Sequence, residues 1–395
     1  MSLAIIKTDN YTIMTNKLIL ILILFSIVSC TSNKTIVQQG YKGESKHKQP
    51  KMTSLPKDVE YFFDKKLSDT LATKLNKKID DLFSKHNVAG ITATVLIPKK
   101  GIWETNRGYI SKPDNKFVDS SSVFFWASVG KLITSTIIHQ LVLEGRLSFN
   151  DKLSNWFPNI EYAKKITINQ LLNHTNGIYS FNYDTKSHKN KSFTPNELLE
   201  ISKSHNNMFK PGEYWSYTNT GYLLLSLIIE EIESKTFSQV ILNRISKPLN
   251  LKTLKAATKN DPNLALAHNK DLVIHKDYSI ILGAGGLYSN SKDMTTFLSA
   301  LLTGKIIPIK DVYNMLKDLY PMFDNGQYYG RGIMLYDFNE INKTKTVWIG
   351  HSGGTENYKA ILLYDIKSKI IMAISINENI PAQAVAYKLM KLINE

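Results

Sequence analysis

The apolar residues of this chain change period twice, and that limits the folds open to it. Residues 91–97 and 102–109 are short, β-branched runs, bounded by Gly90 and Pro98 and separated by Lys99-Lys100-Gly101, which predicts an antiparallel hairpin. Residues 347–350, 358–364 and 370–376 read as strands near the other end. Between these ends the spacing turns helical. Leu132, Ile133, Ile137, Ile138, Leu141 and Val142 predict a helix over 128–143 that stops at Gly145, and residues 222–232 predict a second. Helices are also expected at 67–86 and from about 381 onward. Strands at both termini around a helical middle predict an α+β fold. One antiparallel sheet would be built from about 58–125 and 325–395, flanked by helices, with a helical region inserted at about 126–324.

Upstream of residue 58 the pattern is an address rather than a fold. Residues 18–28 form an apolar run broken only by Ser26, too short for a membrane span of about 20 residues. Lys17 precedes it and Ser29 leads into Cys30, as in a secretory signal over residues 1–29. Ile27-Val28-Ser29-Cys30 resembles a bacterial lipobox, which implies lipidation of Cys30 and a mature chain starting there. Met14 is an alternative start. Residues 30–57 are polar and lysine-rich, and are expected to be a flexible basic tether reaching about 30 Å. The protein is thus expected in the cell envelope, lipid-anchored outside the cytoplasm. Thr31 after the cysteine points to the outer membrane facing the periplasm in a two-membrane cell.

Cys30 is the single cysteine, so no intramolecular disulfide and no cysteine-based zinc cluster can form. Nine histidines show no metal-ligand spacing, and no metal or other cofactor is expected. The net charge of +15 is carried almost entirely by lysine, with only four arginines. Nucleic-acid readers favour arginine forks and clustered patches, so no nucleic-acid partner is expected. Gly283-Ala284-Gly285-Gly286 does not complete a dinucleotide loop, because Tyr288 stands where the third glycine belongs. The sequence leaves the oligomeric state open.

Ser128-Val129-Gly130-Lys131 opens the helix predicted at 128–143. Residues three apart share a helix face, so the Lys131 amine can reach the Ser128 hydroxyl. A serine nucleophile needs a base, and a lysine serves only if burial lowers its pKa. Phe124, Phe125 and Trp126 supply apolar surroundings. Ser-x-x-Lys also occurs at Ser45, Ser54 and Ser289, but only Ser128 begins a long apolar helix. Tyr217-Thr218-Asn219 can present a phenol and an amide to one cleft, and Tyr288-Ser289-Asn290 fits the same pattern. His351-Ser352-Gly353-Gly354 follows the strand at 347–350, with glycines that let another backbone approach closely. His174 reads as a hydrogen-bonding residue of its loop rather than a base.

In this order the three motifs resemble the signature of class C β-lactamases, DD-peptidases and related esterases. Leu171-Leu172-Asn173-His174-Thr175-Asn176-Gly177, Phe209-Lys210-Pro211-Gly212 and Gly285-Gly286-Leu287 are similar to further family segments, and the resemblance spans about residues 75–380. It favours Tyr217 over Tyr288, which falls within the Gly-Gly-Leu segment. It implies that Ser128 is the acylated nucleophile, Lys131 the activating amine and Tyr217 the proton relay. Asn219, His351, Gly353 and Gly354 would bind substrate, with the Ser128 and Gly354 N–H groups as oxyanion donors. Class C β-lactamases carry lysine where His351 stands. Histidine is mostly neutral at pH 7, which points away from efficient β-lactam hydrolysis. The expected activity is cleavage of an amide or ester in a small peptide or ester substrate, including peptidoglycan-derived D-alanyl peptides. The alternatives are a β-lactamase and a catalytically silent envelope-binding or sensor lipoprotein on the same scaffold.

Overall fold

A computed structural model describes residues 47–188, 193–323 and 325–395. The expected signal segment, the lipobox at Cys30 and the first part of the tether lie outside the described residues.

Fourteen strands form: β1 (Gly90–Ile97), β2 (Gly101–Ser111), β3 (Lys116–Phe117), β4 (Phe124–Phe125), β5 (Lys255–Ala256), β6 (Ala267–Asn269), β7 (Leu272–Ile274), β8 (Leu287–Ser289), β9 (Tyr320–Pro321), β10 (Gln327–Tyr329), β11 (Met334–Asp337), β12 (Val347–Gly354), β13 (Lys359–Asp365) and β14 (Ile371–Ile376). Nine of them make one sheet in the order β3-β2-β1-β14-β13-β12-β11-β10-β9. All its pairings are antiparallel, and the two chain ends meet at its centre, where Ile91 faces Ile376 and Leu96 faces Ile371. The central strands β1 and β14 are buried at every residue, as near-continuous apolar runs must be when both faces are covered.

The principal helices are α1 (Asp69–Lys85), α2 (Gly130–Leu143), α3 (Asn219–Glu233), α4 (Ser291–Leu302) and α5 (Ala382–Asn394). Leu75 and Ile79 of α1 and Ala386 and Leu389 of α5 pack with Ile91, Ala93, Val95, Met372 and Ile374 on one face of the sheet. The other face meets the helical region through Ile349, Leu362, Ile371 and Ala373, in one core with Ile133 and Ile137 of α2 and Leu224 and Ile228 of α3. Helix α2 is buried without interruption from Gly130 to His139. A helix apolar on all sides belongs inside a structure, and α2 is the central post of the helical layer.

Two expectations need correction. Residues 47–57, expected within the flexible tether, lie against the domain. His47 bridges to Leu319, Gln49 Nε2 donates to the Tyr313 carbonyl, the Ser54 carbonyl accepts from Tyr364 and Lys369, and Leu55 is buried. Backbone and amide groups, which have no periodicity to read, make most of these bonds. The strand expected to stop at Gly350 continues through Gly354, because Leu362 to Lys359 pair with His351 to Gly354. His351 and the glycines are therefore ladder residues rather than turn residues.

Candidate active site

Ser128 does not lie in the first α-helical turn. It occupies a one-turn 3-10 helix, Ala127–Val129, that leads into α2. Ala127 takes a left-handed φ of 47°, which turns the chain sharply just before the serine. Two glycines clamp that turn. A Cβ on Gly353 of β12 would lie 2.4 Å from the Trp126 carbonyl oxygen and 2.8 Å from the Ser128 nitrogen. A Cβ on Gly285 would lie 2.9 Å from the Ala127 carbonyl. Only glycine allows these backbones so close to the serine.

Lys131 is fully buried, one turn beyond Ser128. Its Nζ is 3.3 Å from Ser128 Oγ and 2.6 Å from Asn219 Oδ1, and it also reaches the Ala284 carbonyl. Two of these neighbours are carbonyl oxygens that can only accept. The third, a hydroxyl, can donate. A neutral amine has two N–H bonds and one lone pair, and this set suits it: N–H groups to Asn219 and Ala284, the lone pair toward the Ser128 proton. Burial lowers the Lys131 pKa well below the ordinary lysine value, and no carboxylate opposes that shift.

Tyr217 covers the amine, with Lys131 Nζ 4.9 Å from its ring centroid. Its hydroxyl is buried, near the Ser128 hydroxyl but without a well-formed hydrogen bond among the described residues. Burial raises its pKa, with the Ser128 hydroxyl pulling the other way. The group is thus a phenol at neutral pH and can give a proton. Asn219, the first residue of α3, spends Oδ1 on Lys131 and donates from Nδ2 to Asn182 Oδ1 at 2.9 Å. One N–H of its amide remains for a substrate.

His351 differs from its expected place beside the substrate. Its side chain is fully buried, with Nδ1 2.6 Å from the Ser352 carbonyl and Nε2 3.1 Å from the Tyr329 hydroxyl. The carbonyl can only accept, so Nδ1 carries the proton, while Nε2 lies against the Tyr329 hydroxyl, which donates to the Tyr222 hydroxyl at 3.3 Å. Burial brings its pKa down to about 3. The ring is neutral and buried. Gly354 ends β12 exposed, directly after the glycine that meets Ser128. Tyr288 lies in β8 with its hydroxyl on the Thr258 carbonyl, and has no contact with Lys131.

Sequence reasoning missed three participants: the Ala284 carbonyl, the Tyr329 hydroxyl and the close approach of Gly285. The first is a main-chain atom and the others depend on long-range packing. The Gly-Gly-Leu segment was the available signal for the Ala284–Gly285 contact. Among the described residues the one group of side chains close enough to share a metal ion is His47, Asp337 and Glu340, none of which belongs to this site.

A buried amine with no carboxylate partner beside a serine, on a sheet-and-helix scaffold of this topology, fits a serine hydrolase of the acyl-transfer type. Comparison with known proteins agrees: the chain belongs to the Beta-lactamase family, whose model matches residues 73–394. It is similar to penicillin-binding protein 4* of Bacillus subtilis, 25% identical over 318 residues that cover 73% of this chain and 68% of that one. The solved structure of D-amino acid amidase from Ochrobactrum anthropi matches with a TM-score of 0.74 at 22% identity, covering 82% of this chain and 99% of that chain. A β-lactamase/D-alanine carboxypeptidase from Pseudomonas syringae matches at 0.66 and 19%, with 82% and 99% covered. At these identities the two structures speak for the fold.

Proposed function

We propose that this protein cleaves an amide or ester bond beside a D-amino acid, as in peptidoglycan-derived D-alanyl peptides, through an acyl-enzyme on Ser128. The observation that carries the reading is the Lys131 amine, dry and unpaired with any carboxylate, 3.3 Å from Ser128 Oγ. Lys131 takes the Ser128 proton as Oγ attacks the substrate carbonyl. The developing oxyanion is held by the N–H groups of Ser128 and Gly354. The proton passes through Tyr217 to the leaving amine or alcohol. Water then attacks the ester carbonyl, giving a proton to Lys131, and as the Oγ–acyl bond breaks Lys131 returns that proton to Ser128 Oγ and the acid product leaves. The free N–H of Asn219 binds the substrate amide carbonyl.

A peptide or ester fits better than a β-lactam. His351 is buried and neutral, and so offers no fixed charge to a β-lactam carboxylate. The names of the amidase and D-alanine carboxypeptidase neighbours support a D-amino acid at the scissile bond. The proposal includes a lipid anchor at Cys30 that holds the enzyme in the envelope, outside the cytoplasm.

The test is intact-mass analysis after a fluorophosphonate or penicillin probe, with rates on a D-Ala-D-Ala peptide, a D-amino acid amide, a short-chain nitrophenyl ester and a chromogenic cephalosporin. A single adduct on Ser128, with turnover of the peptide or amide above the cephalosporin, is expected. A folded protein with no adduct supports the silent lipoprotein, and a preferred cephalosporin supports the β-lactamase. For the anchor, Cys30→Ser should move the protein from the membrane fraction to the soluble one.

A further inference from the structure

His174 stands outside the reaction just described, yet it holds the chain on both sides of Tyr217. The segment at 208–216 is zipped onto that loop by main-chain bonds: Met208 N–H to the Gly177 carbonyl, Gly212 N–H to the Thr175 carbonyl and Ser216 N–H to the His174 carbonyl at 3.0 Å. The next N–H along the chain toward the loop, that of Thr218, donates instead to the His174 ring at Nδ1, 3.2 Å away. One residue therefore grips the chain immediately before and immediately after Tyr217. The ring also lies against the Tyr217 ring, with centroids 4.3 Å apart. Tyr183 O–H to the Tyr217 carbonyl and Asn219 N–H to Ser180 Oγ complete the grip from the same loop.

We infer that His174 is a positioning residue for Tyr217, acting through its main-chain carbonyl and its unprotonated Nδ1 to fix where the phenol stands over Ser128 and Lys131. An acceptor at Nδ1 requires the proton on Nε2, which is buried with no hydrogen-bond partner among the described residues. A ring needed only to fill space would not have to leave a buried N–H unpaired while using the other nitrogen on backbone. The ring stays neutral because it is fully buried. His174 also holds φ at 64°, a conformation that asparagine adopts more readily than other non-glycine residues. Asparagine could thus keep the backbone and place an acceptor near the position of Nδ1.

The inference rests on Tyr217 serving the acyl transfer at Ser128, so its test has one arm that needs no turnover. His174→Asn, His174→Gln and His174→Leu are compared with the wild type below their melting temperatures. Asn should hold kcat within about fivefold, whereas Gln, whose oxygen lies one bond further out, and Leu should lose on the order of a hundredfold in kcat with KM little changed, as for a misplaced relay. A folded Leu or Gln variant with kcat within about threefold of wild type would overturn the inference, as would an Asn variant no better than Leu. In the second arm, exchange of the Thr218 amide proton should quicken about tenfold or more in Gln and Leu but not in Asn. Unchanged Thr218 exchange in the Leu variant would overturn it even if the wild type takes no label, a result that on its own would remove the acyl-enzyme reading.

Discussion

Helix α2 carries a basic site at each end, and the two are opposites. At its C-terminal end Glu144 accepts from Arg244 at 2.7 and 2.8 Å. Arg244 also binds Glu233 at 2.8 Å, and Arg146 pairs with Glu233 as well. The Glu144 hydrogen bonds hold the Arg244 pKa above its usual value against burial, and Arg244 in turn lowers that of Glu144. At the N-terminal end Lys131 meets carbonyls, a hydroxyl and aromatic rings, and burial acts on it unopposed. Paired with carboxylates near solvent, a cation keeps its proton and contributes modest stability. Buried without one, it gives up the proton and becomes a base. One helix thus separates a structural cation from a chemical one by their neighbours alone.

The largest effect should come from removing the dry amine. Lys131→Met is expected to slow acylation of Ser128 by about 10²–10⁴-fold in stopped-flow with a chromogenic ester. It should also raise the melting temperature. The folded pKa of Lys131 is depressed, so between that value and 10.5 the unfolded chain binds the extra proton, and near neutral pH folding has to expel it. Methionine removes that cost. Lys131→Arg should lose the same activity, because a guanidinium does not deprotonate. A Met variant that is slower and also less stable would break the contrast between the helix ends.

Next comes Tyr217→Phe, with about a 10²-fold loss in acylation. Its melting temperature should change little, since the buried hydroxyl has no well-formed hydrogen bond to lose. Gly353→Ala should cost about 1–3 kcal/mol in denaturant unfolding and slow acylation, because the new methyl meets the Trp126 carbonyl and the Ser128 nitrogen. Gly354→Ala, whose nearest neighbours lie at 3.2 Å, should cost less. The smallest effect is expected at the other end of α2. Arg244→Met should cost no more than about 1 kcal/mol, as for a partly exposed ion pair, and leave acylation unchanged.

His351 sharpens the contrast by pH. Its folded pKa of about 3 lies below the unfolded value of 6.5, so its contribution to stability is present above 6.5 and declines as pH falls toward 3. Melting temperatures of wild type and His351→Gln should converge over that window, and ring titration by NMR should find no charge on His351 between pH 5 and 8.

The sheet was legible because strands buried on both faces must be apolar and β-branched, as in Gly90–Ile97 and Ile371–Ile376. Ser128 and Lys131 were legible because a three-residue spacing sets their separation whatever surrounds them. The 3-10 turn at Ala127–Val129 was not, since it arises from the left-handed Ala127 and the glycines pressed against it. Nor was the buried setting of His351, which depends on Tyr329 from another strand. Residues 47–57 misled for a related reason. Polar, lysine-rich sequence reads as solvated until its carbonyls accept from, and its amides donate to, partners such as Tyr364 and Tyr313.

The central claim is that Lys131 is uncharged where it touches Ser128, and the protonation state of its Nζ measures that most directly. Site-resolved 15N NMR of Lys131 from pH 5 to 11, run beside the pH dependence of Ser128 acylation, should give one shared transition far below 10.5 that vanishes in Lys131→Met. An Nζ that titrates near 10.5, or an acylation rate indifferent to its titration, would contradict the account.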